Sequence, residues 1–180
     1  MRRRPVLETE RLILRPPNER DFHGFAAMMA DAEHVQYIGG RQPASLAWRS
    51  LATMVGSWAM RGYGMFAVLE KDGGRWVGQL GPWKPHGWPG NEIGWALSPH
   101  ASGKGYAMEA AVAAMDWAFD QLDWTEVIHC IDPRNERSIR LAERLGSTRI
   151  GPVECPAPYD KSESLAWGQT REQWRARRAA

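Results

Sequence analysis

Residues 91–122 contain the feature that most constrains the fold: a strand pattern, a glycine turn and a helix pattern in direct succession. The strand pattern ends at Pro99, and the helix that follows carries its apolar side chains on one stripe. Between them, Gly103 and Gly105 let the backbone turn tightly, so that the N–H groups of residues 104–107 can point at one spot. This spot is also a helix N-terminus, which suits an anion, and a diphosphate is the natural guest.

Two nucleotide-binding motifs do not fit this turn. A P-loop needs a glycine five residues before its Gly-Lys pair and a Ser or Thr after it, whereas Ser98 and Gly105 occupy those positions around Gly103-Lys104. The dinucleotide fingerprint needs three glycines, and the turn has two. Taken alone, the turn is equally consistent with phosphate binding and with a purely structural role.

The rest of the chain predicts one α/β domain over residues 1–180, because 180 residues suit a single core and no linker or repeat interrupts them. Strands are expected at 9–15, 65–70, 75–80, 91–98, 126–131, 148–151 and 164–169. Helices are expected from Asp21, from Ser45, over 107–122, from Asn135 to Gly146, and at the polar C-terminal end. This order predicts an α/β layer sandwich with a mixed sheet.

Composition excludes several classes of protein. No apolar run approaches the length of a membrane span, and no apolar stretch follows the basic residues 1–4, so we expect no membrane partner, no secretory signal and a cytoplasmic protein. Residues 1–4 and 171–180 hold seven Arg and one Glu, so the net charge of +2 leaves the body net acidic at −4. We therefore expect frayed basic ends and no nucleic-acid partner. Cys130 and Cys155 are too few for a disulfide scaffold, and no metal-ligand spacing occurs, so no metal is expected.

Three segments together resemble a known family. Glu-Ile-Gly-Trp-Ala-Leu-Ser-Pro at 92–99, running into Gly-Lys-Gly-Tyr-Ala at 103–107, resembles the acetyl-CoA-binding core of the GNAT N-acetyltransferases. Asp-Pro-Arg-Asn-Glu-Arg-Ser at 132–138 resembles the second half of that core. Residues 7–16 and 167–174 resemble the two ends of the branch that includes ribosomal-protein N-terminal acetyltransferases, so the likeness spans about residues 7–175.

The resemblance implies a fold and a way of holding the cosubstrate. The fold is the acyl-CoA N-acyltransferase fold, a mostly antiparallel seven-stranded mixed sheet flanked by about four helices. The strand at 91–98 splays from its parallel neighbour, and the pantetheine arm of acetyl-CoA lies in the gap. The residues implied to bind it are Ala96, Leu97 and Ser98 on the strand, Ser102, Gly103, Lys104, Gly105, Tyr106 and Ala107 at the turn, and Asn135 and Ser138 on the short helix.

The chain departs from the family pattern at two places that bear on function. Ser102 replaces the Gln, Arg or aromatic residue that usually begins the turn, which should weaken binding without abolishing it. Ala142 stands where many members have the Tyr that protonates the departing thiolate. Ser138 is then the nearest proton donor, or no side chain supplies the proton. Ser138 and Asn135 are also explained by helix capping.

The catalytic and substrate-binding candidates follow from position. Glu92, beside the implied thioester, accepts the proton of an ammonium substrate if burial raises its pKa, or else it is a solvated strand-end carboxylate. Trp83, His86 and Trp88, in the proline-rich loop at 82–90, are expected to form a substrate wall. His129 and Cys130 are adjacent on a buried strand and face opposite ways, so packing is favoured over a Cys–His pair.

These expectations define one function and a rival. The first is transfer of an acetyl group from acetyl-CoA to a primary amine, either a small molecule or a peptide N-terminus, by direct attack in a ternary complex, with a homodimer as a family-level expectation. The rival, motivated by Ala142, is a non-catalytic acyl-CoA-binding sensor or partner-binding protein.

Overall fold

Eight strands form one sheet in the computed structural model, which describes residues 5–179. The strands are β1 (Leu7–Glu8), β2 (Leu12–Arg15), β3 (Phe66–Glu70), β4 (Trp76–Trp83), β5 (Glu92–Leu97), β6 (Glu126–Ile131), β7 (Thr148–Val153) and β8 (Ser164–Thr170). Their order across the sheet is β1-β2-β3-β4-β5-β6-β8-β7. Neighbouring strands are antiparallel except β5 and β6, which are parallel.

Five α-helices flank the sheet within the same residues. They are α1 (Phe22–Ala30), α2 (Ala44–Arg61), α3 (Tyr106–Gln121), α4 (Glu136–Leu145) and α5 (Arg171–Ala179). Gly62 and Gly146 end α2 and α4 in the left-handed conformation, as the sequence predicts. Over residues 5–179, no helix is both long and apolar enough to cross a membrane. The basic stretch 1–4, expected to be a frayed end, lies outside the described residues.

The predicted α/β fold with a mostly antiparallel sheet is confirmed, and the first strand differs in detail. Of the segment 9–15 predicted as one strand, only Leu12–Arg15 is strand β2, and residues 9–11 form a tight turn that joins it to β1. A hydrogen bond from the Thr9 N–H to the Leu12 carbonyl at 3.0 Å closes this hairpin. Glu109 of α3 holds this turn by accepting from the Thr9 hydroxyl at 2.6 Å and from the Arg11 N–H at 2.8 Å. The described sheet therefore has eight strands where seven were expected. The five described helices match the five that the sequence pattern predicts, against the about four that the resemblance implies.

The sheet separates two groups of buried apolar side chains. On one face, α3 packs through Ala110, Ala114 and Met115 against central strand residues such as Ile93. On the other face, α1 and α2 form a smaller group with the preceding and following loops. Side chains alternate along β5, so that Trp95 contacts the α3 group and Ala96 contacts the α1–α2 group. A residue on β5 can therefore reach either side of the sheet, depending on its position.

The parallel strands β5 and β6 pair at one point and then diverge. Their register contains the single pair Glu92 and Ile128, supported by a hydrogen bond from the Ile128 N–H to the Asn91 carbonyl at 2.8 Å. By contrast, β4 and β5 pair along six residues. A gap therefore opens between β5 and β6 toward the C-terminal end of β5, as the resemblance implies.

We expect Gly168→Ala to destabilise the protein, because a Cβ there would lie 2.5 Å from the carbonyl oxygen of Val127 on β6. Overpacking of this kind costs roughly 1–3 kcal/mol. The matched control is Gly56→Ala in α2, where a Cβ meets nothing within 4 Å and should stabilise the helix by about 0.5–1 kcal/mol. Urea unfolding of both variants measures the difference, and equal stabilities would contradict the packing argument.

Candidate functional site

The backbone groups that face the gap are set by the register of β4 with β5. The Ser98 N–H donates to the Val77 carbonyl at 2.8 Å, so residue 98 faces β4. Hydrogen-bonded and non-hydrogen-bonded pairs alternate along an antiparallel ladder, so Ala96 also faces β4, while Trp95 and Leu97 direct their backbone groups into the gap. The expectation that the backbone of Ala96 and Ser98 faces a ligand in the gap is corrected accordingly.

Two histidines hydrogen-bond to backbone carbonyl groups of β5 at the edges of this gap. His34, from the segment between α1 and α2, hydrogen-bonds through Nε2 to the Leu97 carbonyl. His129, on β6, contacts the Ile93 carbonyl through Nδ1 at 2.7 Å, in the place of the missing backbone pairing. The backbone groups of β5 that face the gap and are not hydrogen-bonded to a histidine therefore form a short stretch centred on Trp95.

His129 is a structural histidine. It is buried, and burial lowers its pKa to about 4, so the ring is neutral. Because the Ile93 carbonyl is only an acceptor, Nδ1 carries the proton, and Nε2 accepts from the Ser147 hydroxyl at 3.0 Å. Both ring nitrogens are thus engaged away from Cys130, which agrees with the packing interpretation and leaves no Cys–His pair.

A cavity of about 360 Å³ occupies the gap and is lined from both faces of the sheet. It brings together seven of the predicted site residues: Trp83, His86, Trp88, Glu92, Ala96, Asn135 and Ser138. The cavity lining does not include Leu97, Ser98 or the glycine turn at 102–107. The predicted catalytic and substrate residues therefore share one space, and the predicted phosphate site lies outside it.

Glu92 is a buried carboxylate rather than a solvated one. One of its oxygens accepts from the Cys130 N–H at 3.0 Å, a donor that the divergence of β5 and β6 leaves without a strand partner, and the other accepts from the Trp88 indole N–H. Only 6% of the residue is exposed. Burial raises the pKa of Glu92 from 4.5 to about 7, although both hydrogen bonds oppose the shift. A carboxylate with this pKa can bind and release a proton near neutral pH.

Two thiols also lie on this side of the cavity. The Cys130 thiol donates to Cys155, which raises the pKa of Cys130 and lowers that of the Cys155 thiol to about 7. Cys155 follows β7 and was not a candidate in the sequence, because nothing in its local pattern places it beside Glu92.

Aromatic rings cover the cavity near Glu92. The rings of Trp83 and Trp88 lie 6.5 Å apart, edge to face, and Trp88 makes a second such contact with Tyr159 at 5.7 Å. His86 lies at the exposed rim. Tyr159 belongs to the loop between β7 and β8, which sequence reasoning left without a role. Only the tertiary structure brings that loop over the cavity.

The glycine turn leads into α3 with a set of free donors. Gly103 and Gly105 have φ of 76° and 78°, a conformation that suits glycine. Within the described residues, the backbone N–H groups of residues 104–107 donate to no protein acceptor. Oriented N–H groups at a helix start are a general anion-binding arrangement, and this geometry agrees with the expected diphosphate site.

Two arginine side chains hydrogen-bond to residues of the turn. The Arg137 guanidinium donates to the Ser102 hydroxyl at 3.2 Å, and Arg11 of the first hairpin donates to the Lys104 carbonyl at 3.0 Å. Arg134 is instead paired with Asp132, and Arg140 with Glu136. Arg11 lies almost a hundred residues from the turn in sequence, so only the fold reveals its position.

Asn135 and Ser138 stand at the start of α4. Asn135 is the N-cap, and its side-chain oxygen accepts from the Ser138 N–H at 3.2 Å. The Ser138 hydroxyl accepts from the Trp95 indole N–H at 3.1 Å, which leaves its own proton available to a further acceptor. Ala142, one turn later, is fully buried. Within residues 5–179, no group of three or more His, Cys, Asp or Glu side chains has the arrangement of a metal site.

Comparisons with known proteins agree with this fold. The family described as "Acetyltransferase (GNAT) domain" matches residues 11–148. The chain is 31% identical over 154 residues to the uncharacterized protein YkkB of Bacillus subtilis (strain 168), covering 81% of this chain and 87% of that protein. The chain belongs to the GNAT acetyltransferase family.

Solved structures show the same relationship. An acetyltransferase from Agrobacterium tumefaciens str. C58 superposes with a TM-score of 0.82 at 31% identity, covering 93% of this chain and 95% of that one. The ribosomal-protein-S5-alanine acetyltransferase from Vibrio fischeri has a TM-score of 0.73 at 18% identity, covering 94% and 98% of the two chains. At that identity the second likeness concerns the fold alone.

We expect the burial of Glu92 to make stability depend on pH. Its pKa is about 7 in the folded protein and close to 4.5 when unfolded, so its favourable contribution is complete below pH 4.5 and is lost as pH rises through 7. Relative to Glu92→Gln, the wild type should lose up to about 3 kcal/mol between pH 4.5 and pH 8. Urea unfolding between pH 4.5 and pH 8 measures this difference in unfolding free energy, and Glu154→Gln, at an exposed position, is the control. A constant difference between wild type and Glu92→Gln would contradict the burial argument.

Proposed function

We propose that this protein transfers an acetyl group from acetyl-CoA to a primary amine. The observation that carries the proposal is the buried carboxylate of Glu92, with a pKa of about 7, inside a cavity that opens where two parallel strands diverge. Family membership supports acetyl transfer, and the cavity supports a reaction in which both reactants are held together. We place the reaction within a single domain whose recognisable core is residues 7–175.

The residues of this chain fit acetyl-CoA at both ends. The turn supplies free N–H groups at residues 104–107 and the neighbouring guanidinium of Arg137, a donor set suited to a pyrophosphate. The gap supplies the backbone of Trp95 and the N–H of Leu97, which a peptide-like pantetheine arm can pair with. When bound, acetyl-CoA supplies the activated acyl group.

Glu92 is the residue that we propose accepts the proton of the amine. A protonated amine has no free electron pair, so it must lose a proton before its nitrogen can attack a carbonyl. The ionised carboxylate of Glu92 attracts the ammonium and accepts that proton, and the hydrogen bonds from Cys130 and Trp88 keep the carboxylate in position. In this proposal, a backbone N–H near Leu97 would stabilise negative charge on the thioester oxygen.

Ser138 is the proposed partner of the departing thiolate. Its hydroxyl proton is not used by Trp95, to which it serves as acceptor, and it lines the same cavity. Ala142 removes the hydroxyl that usually donates this proton, which leaves Ser138 as the nearest donor. Because a coenzyme thiol is already a fair leaving group, the contribution of Ser138 to the rate should be small.

The likeness of residues 7–16 and 167–174 supports a place for this chain in the ribosomal-protein N-terminal acetyltransferase branch. The identity of the acceptor is argued below from the cavity.

We expect Glu92→Gln to lower kcat/KM for the amine roughly 100-fold at pH 8, the usual scale for loss of a general base. The wild-type rate should rise through a pKa of about 7, and the variant should lack this step. Thiol release from acetyl-CoA, followed with a panel of primary amines between pH 6 and 9, measures both quantities. Glu154→Gln is the control. An unchanged rate and profile in Glu92→Gln would exclude the proposed role.

A matched glycine pair tests the phosphate site. Gly103 and Gly73 have φ of 76° and 74°, and a Cβ at either position meets nothing within 4 Å, so replacement by Ala should strain both turns equally. We expect Gly103→Ala to weaken acetyl-CoA binding at least tenfold and Gly73→Ala to leave it unchanged. Calorimetric titration with acetyl-CoA decides this, and equal affinities would argue against the turn.

The thiol-release assay and the calorimetric titration also test the rival function, a non-catalytic acyl-CoA sensor. This rival is motivated by Ala142, which has no hydroxyl to protonate the thiolate. Acetyl-CoA binding that depends on Gly103, without turnover of any amine, would favour the sensor.

A further inference from the structure

Building on the proposed acetyl transfer, we propose that the acceptor is a small primary monoamine with an apolar or aromatic body, rather than a polyamine or a peptide N-terminus. Three properties of the cavity support this class of acceptor: its charge, the chemistry of its walls and its closure.

The cavity offers one free carboxylate to an ammonium group. Two carboxylates line it, Glu92 and Asp132. Asp132 is already neutralised, because the Arg134 guanidinium binds its two oxygens at 3.0 and 2.7 Å and the Arg134 N–H donates to one of them at 2.9 Å. Glu92 is thus the carboxylate left to attract a cation. A second ammonium on a polyamine would find no second free carboxylate there, only weaker partners such as the unpaired Gln79 Oε1 and the Cys155 thiol, and an incompletely paired charge is costly in an apolar site.

The wall opposite Glu92 is mostly apolar. It is built by α1, α2 and the segments beside them, with Phe25, Met29, Ile38, Met54 and Met65. Methionine side chains adapt to different shapes and make favourable contacts with aromatic rings. The polar groups in this wall include Ser50, whose hydroxyl is engaged by Gln42 at 2.9 Å. Such a surface favours a hydrocarbon or aromatic body over a charged or peptide chain.

The roof of the cavity limits the length of the acceptor. Tyr159 packs on Trp88, and its ring lies 3.1 Å from the position that a Cβ on Gly39 would take, so it bridges two separate loops. Pro156 lies 3.7 Å from the corresponding position on Gly87. These contacts join the loops at 37–40, 84–91 and 154–162 above the cavity. The volume of about 360 Å³ lies near the lower end of small-molecule pockets and must also admit the acyl group.

Peptide recognition usually needs an open groove or a free strand edge. The strands that line this cavity are β4, β5, β6 and β8, all of which are interior to the sheet, and the two edge strands β1 and β7 contribute no residue to the lining. We expect a residue after the first of a peptide to press against the Tyr159 ring that packs on Trp88. The three loops above the cavity therefore favour an acceptor that ends there over a peptide that continues beyond its first residue.

Two matched pairs of acceptors test the proposal with the intact wild-type protein and acetyl-CoA. Pentylamine and 1,5-diaminopentane differ by the second charge, and 2-phenylethylamine and phenylalanyl-alanyl-alanine amide differ by the continuing chain. We expect kcat/KM to be at least tenfold higher for the first member of each pair. A diamine or peptide that reacts as well as its partner would overturn the acceptor class while leaving acetyl transfer intact.

A variant and a binding measurement complete the test. Tyr159→Ala should raise the peptide rate relative to 2-phenylethylamine at least fivefold, whereas Tyr63→Ala, which removes a similar edge-to-face contact with Trp124, should not. If no amine reacts, acetyl transfer itself fails, and tryptophan fluorescence titration still decides the selectivity. Tighter binding of pentylamine than of 1,5-diaminopentane supports it, and equal or weaker binding overturns it.

Discussion

The divergence of β5 from β6 is the constraint on which the site depends. The two strands pair once, at Glu92 and Ile128, and beyond that point their backbone groups need other partners. The protein supplies some of them with side chains: His129 reaches the Ile93 carbonyl, and Glu92 accepts from the Cys130 N–H. The groups left facing the gap are the ones that a ligand of peptide-like chemistry can satisfy. A defect in the sheet thus becomes a binding surface.

The same divergence sets the chemistry of Glu92. Its carboxylate bridges the two strands at the point where they part, so it is buried by the structure that it helps to complete. Burial opposes its charge and raises its pKa to about 7, while two hydrogen bonds hold the ionised form in place. The side of the pocket built by α1 and α2 is mostly apolar. The divergence of the strands therefore determines both where the carboxylate lies and how strongly it holds its proton.

Much of the fold and part of the site could be predicted from local sequence. The glycine turn, the helix that follows it and the hairpin at 66–83 depend on residues close together in the chain, so their patterns were readable. Glu92 was found through the resemblance, and Trp83, His86 and Trp88 through their aromatic, proline-rich loop; the cavity brings them together. Arg11, His34, Cys155 and Tyr159 were missed, because each is brought to the site from a distant segment whose local pattern carries no such signal.

The sequence by itself determined the order of strands and helices after the first hairpin, the turn at 103–105 that suits an anion, and an acidic body between basic ends, because these properties depend on composition and on neighbours along the chain. Only the tertiary structure decided which backbone groups face the gap. The register of β4 with β5 assigns them to Trp95 and Leu97, and a shift of one residue would have reversed the assignment. It also decided that Glu92 is buried and that Tyr159 closes the cavity, since both depend on contacts between segments that the linear sequence keeps apart.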